Sequence, residues 1–213
     1  MAFARDAATH AYYDARAAEY DEWYEGRGRF TARERPGWAD ELVDELVALV
    51  AALPPARTLD VACGTAFLTQ HLAGLAVGLD QSPAMVAIAQ ERLRERGGLA
   101  LVGDALALPF ADGAFDRVLT AHFYGHLVPA EKEAFLAEAT RVAAGGELVV
   151  IDSAPRPGQD DERERWEERV LNDGSRHRVY KRFLTGTELA AELGGDVLLD
   201  GRWFCAARVP LAA

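Results

Sequence analysis

The stretch TLDVACGTAFLTQHLAGLAVGLDQSP, residues 58–83, decides how this chain is read. An apolar run ends in a turn of small residues, a helical pattern follows, and a second apolar run ends at Asp80. Strand, loop, helix and strand in that order hold a nucleotide-like ligand at the carboxyl edge of a parallel sheet. A dinucleotide would ask for G-x-G-x-x-G, because its pyrophosphate sits on the helix N-terminus and two backbones approach closely there. The matching positions hold Ala62, Gly64 and Phe67. Phe67 is a poor third glycine, which disfavours a pyrophosphate and with it a nicotinamide oxidoreductase. A cofactor with an amino-acid tail and no phosphate asks less of the loop. Gly64 lets the backbone come close, and Ala62 is small enough for the strand end.

On either side the same alternation continues. After TLDVA and a helix expected near 66–73 come LAVGLD, a helix from Ser82 or Pro83 to Arg96, LALVGD, FDRVLTA, a helix near 130–143, and ELVVIDS. Strands apolar on both faces that alternate with helices predict a parallel sheet covered on both sides. Upstream, PGWADELVDELVALVAALPP is an amphipathic helix with Leu42, Leu46, Leu49, Val50 and Leu53 on one face, opened by Pro36 and closed by Pro54–Pro55. Further upstream, AYYDARAAEYDEWY sets Tyr13, Ala17, Tyr20 and Tyr24 at helical spacing. Downstream, the charged run DDERERWEERV reads as a helix. RVYKRF, a helix near 187–193 and DVLLDGRWFCAARV then read as a closing antiparallel pair.

The 213 residues fit one domain or one domain with a decorated end, since single domains run to about 200–250 residues. Half of them are apolar, enough for a sizeable core. A net charge of −11 repels phosphate backbones and disfavours nucleic acid as a partner. Two cysteines, Cys63 and Cys205, suit a reducing cytosol and provide neither a disulfide framework nor a Cys-rich metal site. The N-terminal stretch is charged and aromatic, and no run approaches the roughly 18–20 apolar residues that span a bilayer. A cytoplasmic protein acting on a small molecule, as a monomer or homodimer, is expected.

Asp80 lies 20 residues after Asp60, where a carboxylate can accept from both hydroxyls of a ribose; its ordinary reading is a helix N-cap ahead of Ser82-Pro83. Asp104 closes the third strand, either as a turn cap or as an acceptor for an adenine amino group. These strand ends together resemble the class I S-adenosylmethionine (SAM)-dependent methyltransferases that act on small molecules, over about residues 38–153. LDVACGTAFLT is similar to the first family motif, D-x-G-x-G-x-G; Asp60 and Gly64 match it, and Ala62 and Ala66 depart from it. GLDQSPAMVAIAQERL is similar to the second motif, LVGDALALPFADGAFDRVLT to the third and fourth, and AEATRVAAGGELVVIDS to the helix, turn and fifth strand of the family. The resemblance implies a Rossmann-like, seven-stranded, mostly parallel sheet with helices on both faces. It also implies an N-terminal helical cap, placed at residues 1–35, over a SAM-binding unit at 36–213.

The resemblance further assigns the cofactor's residues. Ala62, Cys63 and Gly64 would meet the tail, and Asp80 with Gln81 the ribose. Met85, Asp104, Ala105, Leu106 and Ala121 would surround the adenine and the strand ends. From the cap, Tyr20 would cover the tail and Arg29, before Arg27, would pair with its carboxylate. On its own residues, Cys63 reads as a small apolar filler.

Methyl transfer is an in-line displacement at a sulfonium carbon, and a base is needed only where the nucleophile is a hydroxyl or ammonium. No metal-ligand spacing appears, since H122-x-x-x-H126 lacks a third ligand. TAHFYGHLVP follows the fourth strand without the N/D-P-P-Y/F motif of nucleobase amino-methylating enzymes. His126 is expected as base or orienting group with His122 as its neighbour, the plain reading of each being a polar residue satisfied at a helix start. Tyr13, Phe123, Arg169, Arg176 and Lys181 are candidate substrate contacts, the three cations otherwise forming a solvated face. Two other functions remain open: a SAM-binding enzyme of non-methylating chemistry (cyclisation, decarboxylation or rearrangement), and a non-catalytic SAM-binding protein.

Overall fold

The computed structural model describes residues 5–31, 36–156 and 162–213. The start of the expected cap, its last four residues and Asp160–Asp161 of the charged run lie outside the described residues. The chain enters through α1 (Ala7–Arg16), a 3₁₀ turn and α2 (Glu22–Glu25). A long helix follows in three contiguous pieces: α3 (Trp38–Asp40), a π-helical stretch (Glu41–Val47) and α4 (Ala48–Ala52). Leu42, Leu46, Val50 and, at the helix end, Leu53 are buried against one face of the sheet as the apolar spacing predicts, whereas Leu49 is half-buried and Trp38 joins the face from the helix start.

The strands are β1 (Ala56–Val61), β2 (Gly74–Asp80), β3 (Leu99–Val102), β4 (Arg117–Ala121) and β5 (Glu147–Ser153). The intervening helices are α5 (Pro83–Arg94) and α6 (Pro129–Val142). After β6 (Glu164–Val170) and β7 (Arg176–Arg182) come α7 (Gly186–Leu193), β8 (Asp196–Asp200) and β9 (Phe204–Pro210). Seven strands form one sheet in the order β3-β2-β1-β4-β5-β9-β8. Its first five members are parallel, and β9 runs antiparallel to both β5 and β8. The order reverses at β1, so the carboxyl ends of β1 and β4 open a crevice between oppositely directed crossovers. The inner strands carry buried runs such as Leu148–Ile151, so both faces of the sheet are covered. None of the described helices is long and apolar enough to cross a membrane.

Two local expectations are corrected. Residues 66–73 contain only a 3₁₀ turn at Thr69–His71. Ala62, Gly64 and Ala66 all have left-handed backbone, with φ of 59°, 54° and 59°, and this alternation uses up the chain a longer helix would need. The charged run becomes β6, not a helix. It pairs with β7 over seven residues, from Glu164↔Arg182 to Val170↔Arg176. Cross-strand ion pairs such as Glu168–Arg176 suit that ladder. The hairpin stands apart from the main sheet and packs on α1 through a cluster of Tyr12, Leu171, Val179 and Tyr180. Cap and hairpin together thus roof the carboxyl edge.

Candidate active site

Under that roof lies a cavity of about 580 Å³, its open mouth included. Its walls come from four places. Ala62, Gly64, Leu79, Asp80, Gln81, Gly103 and Ala105 follow or end β1, β2 and β3, and Met85 comes from α5. Ala121, His122 and Phe123 follow β4, and Tyr13 and Tyr20 descend from the cap.

The loop after β1 explains the family's glycines. Ala62 and Gly64 line the cavity, whereas Ala66 packs with Ala89 and Leu93. Alanine at 62 and 66 accepts a strain of roughly 1–2 kcal/mol per residue that glycine would avoid. Gly64 has a further constraint, because a β-carbon there would stand 3.2 Å from the Tyr20 ring. Phe67 stacks on Tyr24 at 4.0 Å between ring centroids and 2° between planes, filling the space a pyrophosphate loop would leave open.

Asp80 is buried, and each of its carboxylate oxygens accepts one backbone N–H at 2.9 Å, Oδ2 from Gly64 and Oδ1 from Ser82. Burial pushes its carboxyl up, against the opposing pull of the Ser82, Gly64 and Gln81 N–H groups. The N-cap of α5 is Ser82, whose hydroxyl accepts from the Met85 N–H, so Asp80 is not spent as the cap. Behind it, Asp60 accepts from the Thr69 hydroxyl through Oδ2 while its buried Oδ1 has no hydrogen-bond partner. Burial pushes this carboxyl up to about 7.

The cap is fastened by a repeated Tyr-Asp pair seven residues apart. Asp14, after Tyr13, accepts from the Ser82 hydroxyl at 2.8 Å and the Ala84 N–H at 3.1 Å. Asp21, after Tyr20, accepts from the Thr65 hydroxyl at 2.5 Å and pairs with Arg92 at 2.7 Å. Each tyrosine lines the cavity, and each aspartate grips the loop beside it.

At the far end, His122 takes a left-handed φ of 59° and donates its backbone N–H to Ile151. That turn brings Nδ1 to 3.4 Å from the Ser153 hydroxyl and 3.9 Å from Asp152 Oδ1, while Nε2 is buried without a hydrogen-bond partner. Trp23 packs edge-on at 4.8 Å. Burial pushes the imidazole down, partly opposed by Asp152. Asp152 is buried and accepts from Lys181 Nζ, the Gly125 N–H and the Ser153 N–H. Burial pushes its carboxyl up, but Lys181 and His122 hold it well below the usual range.

The other expected residues are dispersed. His126 does not line the cavity; its Nδ1 bonds the Tyr180 carbonyl, fastening the loop to the hairpin, and burial beside Lys181 keeps it neutral. Lys181 is buried on Asp152, Arg169 pairs with Glu167, and Arg176 pairs with Glu168 in solvent. Arg29 is exposed on a 3₁₀ turn, and Arg27 pairs with Glu25. Asp104 stands half-exposed, holding Arg5 through Oδ2 and the Leu106 N–H through Oδ1. The side chain of Cys63 turns away, toward Gly78 beneath the sheet. Leu79, Gly103 and the His122 partners Asp152 and Ser153 escaped the sequence reading. The first two adjoin recognised strand ends, whereas the last two join the site through strand pairing that no local pattern encodes.

The sheet order, the single reversed strand and a cavity over the carboxyl ends of β1, β2 and β4 define an α/β fold built to hold a nucleoside cofactor. The family described as "Methyltransferase domain" matches residues 59–151. Demethylmenaquinone methyltransferase of Thermus thermophilus is 44% identical over 128 residues, 56% of each chain. Ajmaline N-methyltransferase of Rauvolfia serpentina is 40% identical over 105 residues, 46% of this chain and 35% of that one. The chain thus spans about half the length, or less, of these curated relatives. Among solved structures, a DhpI–SAH complex superposes with a TM-score of 0.72 at 27% identity, covering 97% of both chains. A DhpI–SAM–HEP complex gives 0.73 at 28%, covering 95% of this chain and 96% of that one. Residues 59–151 thus match the methyltransferase domain family, and the two solved structures that superpose on nearly the whole chain are complexes with SAH or SAM.

Proposed function

We propose that this protein transfers a methyl group from SAM to oxygen, nitrogen or carbon of a small metabolite. The cavity fits the cofactor. It offers close backbone at Ala62–Gly64, a buried carboxylate at Asp80, and the apolar surfaces of Leu79 and Met85 for a planar base. Gln81, Ala105, Leu106 and Ala121 complete the cofactor side, with Asp104 at its edge. When bound, SAM supplies an activated methyl group on a sulfonium. The chain's own task is to align the acceptor, exclude water and, for a hydroxyl or ammonium acceptor, remove a proton. Tyr13, Tyr20 and Trp23 close the roof. Phe123 borders the acceptor, and Lys181 acts behind it by holding Asp152.

The observation that carries this reading is His122. Its neutral imidazole forms part of the cavity wall, and its Nε2 has no hydrogen-bond partner. Nδ1–H toward Ser153 and Asp152 leaves Nε2 as the proton acceptor, and the Asp152 carboxylate stabilises the imidazolium that results. His126 positions this loop. The acidic surface and the two free cysteines support a cytoplasmic monomer or homodimer that does not engage nucleic acid. The test is incubation with SAM and a panel of small hydroxyl-, amine- and carboxyl-bearing metabolites, read as S-adenosylhomocysteine (SAH) release. His122→Asn should keep SAH affinity and lose turnover by about a hundredfold or more. Near-normal turnover in that variant, at saturating acceptor, would remove His122 from the chemistry.

A further inference from the structure

Arg16 closes α1 between the two tyrosines of the cap that line the cavity, Tyr13 and Tyr20, yet its protein partners do not neutralise it. Nη1 donates to the Tyr12 hydroxyl at 2.7 Å. The guanidinium lies 4.9 Å from the centroid of the Tyr20 ring and 5.7 Å from that of Tyr12. Among the described residues no carboxylate pairs with it, although the chain has 34 acidic side chains. Four other cations near the roof are matched: Lys181 by Asp152, Arg92 by Asp21, Arg169 by Glu167 and Arg27 by Glu25. A guanidinium has five N–H donors in a planar fork, and here a single hydrogen bond uses one of them. Partly burying such a charge is unfavourable unless an anion meets it.

Its contacts tie it to the cap and, through Tyr12, to the hairpin. Tyr12, its hydrogen-bond partner, packs on His177 of the hairpin at 5.0 Å. Tyr13 and Tyr20, on either side of it in sequence, line the cavity. Its charge acts on His122 across the cavity end, and together with that of Arg169 on the Tyr13 phenol. The guanidinium lies on Tyr20, whose ring stands against Gly64, and its charge also reaches His122, beside which the acceptor must stand.

We propose that Arg16 is the anion anchor of the acceptor subsite, so that the methyl acceptor is a small molecule bearing a carboxylate or phosphoryl oxyanion. The proposal rests on the methyltransferase reading above. The planar fork suits either group bidentately, and the tyrosine faces on which it lies hold it in one orientation. Discrimination against a neutral isostere follows, because without the anion the guanidinium stays uncompensated under the roof.

The experiment compares the parent with Arg16→Gln and Arg16→Lys, each shown by thermal melting to be folded. Calorimetry first measures SAH and 5′-methylthioadenosine, which lacks the amino-acid carboxylate. Arg16→Gln should bind both within about twofold of the parent. Inorganic phosphate and acetate are then titrated with and without SAH. The parent should bind at least one of them, Arg16→Gln at least tenfold more weakly, and Arg16→Lys in between. A loss of SAH affinity in Arg16→Gln with 5′-methylthioadenosine unaffected would assign Arg16 to the cofactor's carboxylate and overturn the proposal. Equal anion binding in parent and Arg16→Gln, or none in the parent up to high millimolar concentration, would also overturn it. Failure of the parent to bind SAH would instead sink the cofactor reading, and the titrations without SAH would still decide the role of Arg16.

Discussion

Asp80 shows how one side chain serves two structures. Its oxygens tie the loop after β1 to the turn after β2 through the Gly64 and Ser82 N–H groups, and each oxygen retains a lone pair for a ribose hydroxyl. Charge-assisted bonds of this kind contribute about 1.5–3 kcal/mol each. Asp80→Ala is therefore expected to weaken SAM and SAH alike by tenfold or more, measured by calorimetry on protein that still melts cooperatively. Undiminished affinity would remove the ribose assignment. Asp60, which opens the first motif, is held by Thr69 on one oxygen and by nothing on the other, so its burial works against its charge. His122 has the opposite relation to burial, which keeps it uncharged and able to accept a proton.

Between single residues and the sheet, the cap and the hairpin set the shape of the site. The cap is bolted to the cofactor loops by Asp14 and Asp21, and Asp21 holds both Thr65 and Arg92. Asp21→Ala should loosen α1 and α2, seen as faster amide exchange across residues 5–31, and weaken SAH by roughly tenfold, the equivalent of one such bond. Unchanged exchange would make the cap a static decoration. The hairpin is anchored by the buried Lys181–Asp152 pair. Lys181→Met leaves Asp152 buried and uncompensated, for which a loss of about 3–5 kcal/mol is expected in denaturant unfolding. Adding Asp152→Leu should recover part of that loss. A fully stable single variant would show that water reaches Asp152.

For the molecule as a whole, buried titratable groups give stability a direction with pH. His122 and His126 have lowered values when folded, so the unfolded chain binds more protons below about pH 6.5 and stability falls as pH drops through that range. Asp152, also lowered, extends the loss to more acid pH. Asp60 works the other way. Raised to about 7, it carries a proton in the folded state that the unfolded chain has released, so its contribution fades as pH rises from about 4 to 7. The melting temperature should fall between pH 7 and pH 5, and fall more steeply in Asp60→Asn. A flat profile in both would mean that the two imidazoles are not held neutral by burial.

What was legible in the chain was what short-range pattern encodes. Alternating apolar runs disclosed β1 to β5 and the helices α5 and α6, and Asp60, Gly64 and Asp80 marked the strand ends, because each of these signals lies within a few residues of its structural consequence. The repeated Tyr-Asp pair at 13–14 and 20–21 was equally local and was passed over as mere helical spacing. Other features had no local signature. ERWEERV has charges enough for a helix and becomes a strand because β7 pairs with it across seven positions. His122 and His126, four residues apart, receive different roles because a left-handed turn sets one beside Asp152 of the neighbouring strand while the hairpin carbonyl of Tyr180 claims the other. Arg16 became conspicuous only through the carboxylate it does not meet. Partners of this kind come from strands and loops distant in sequence, and burial, which decides what a charge or an imidazole can do, exists only once the chain has closed around them.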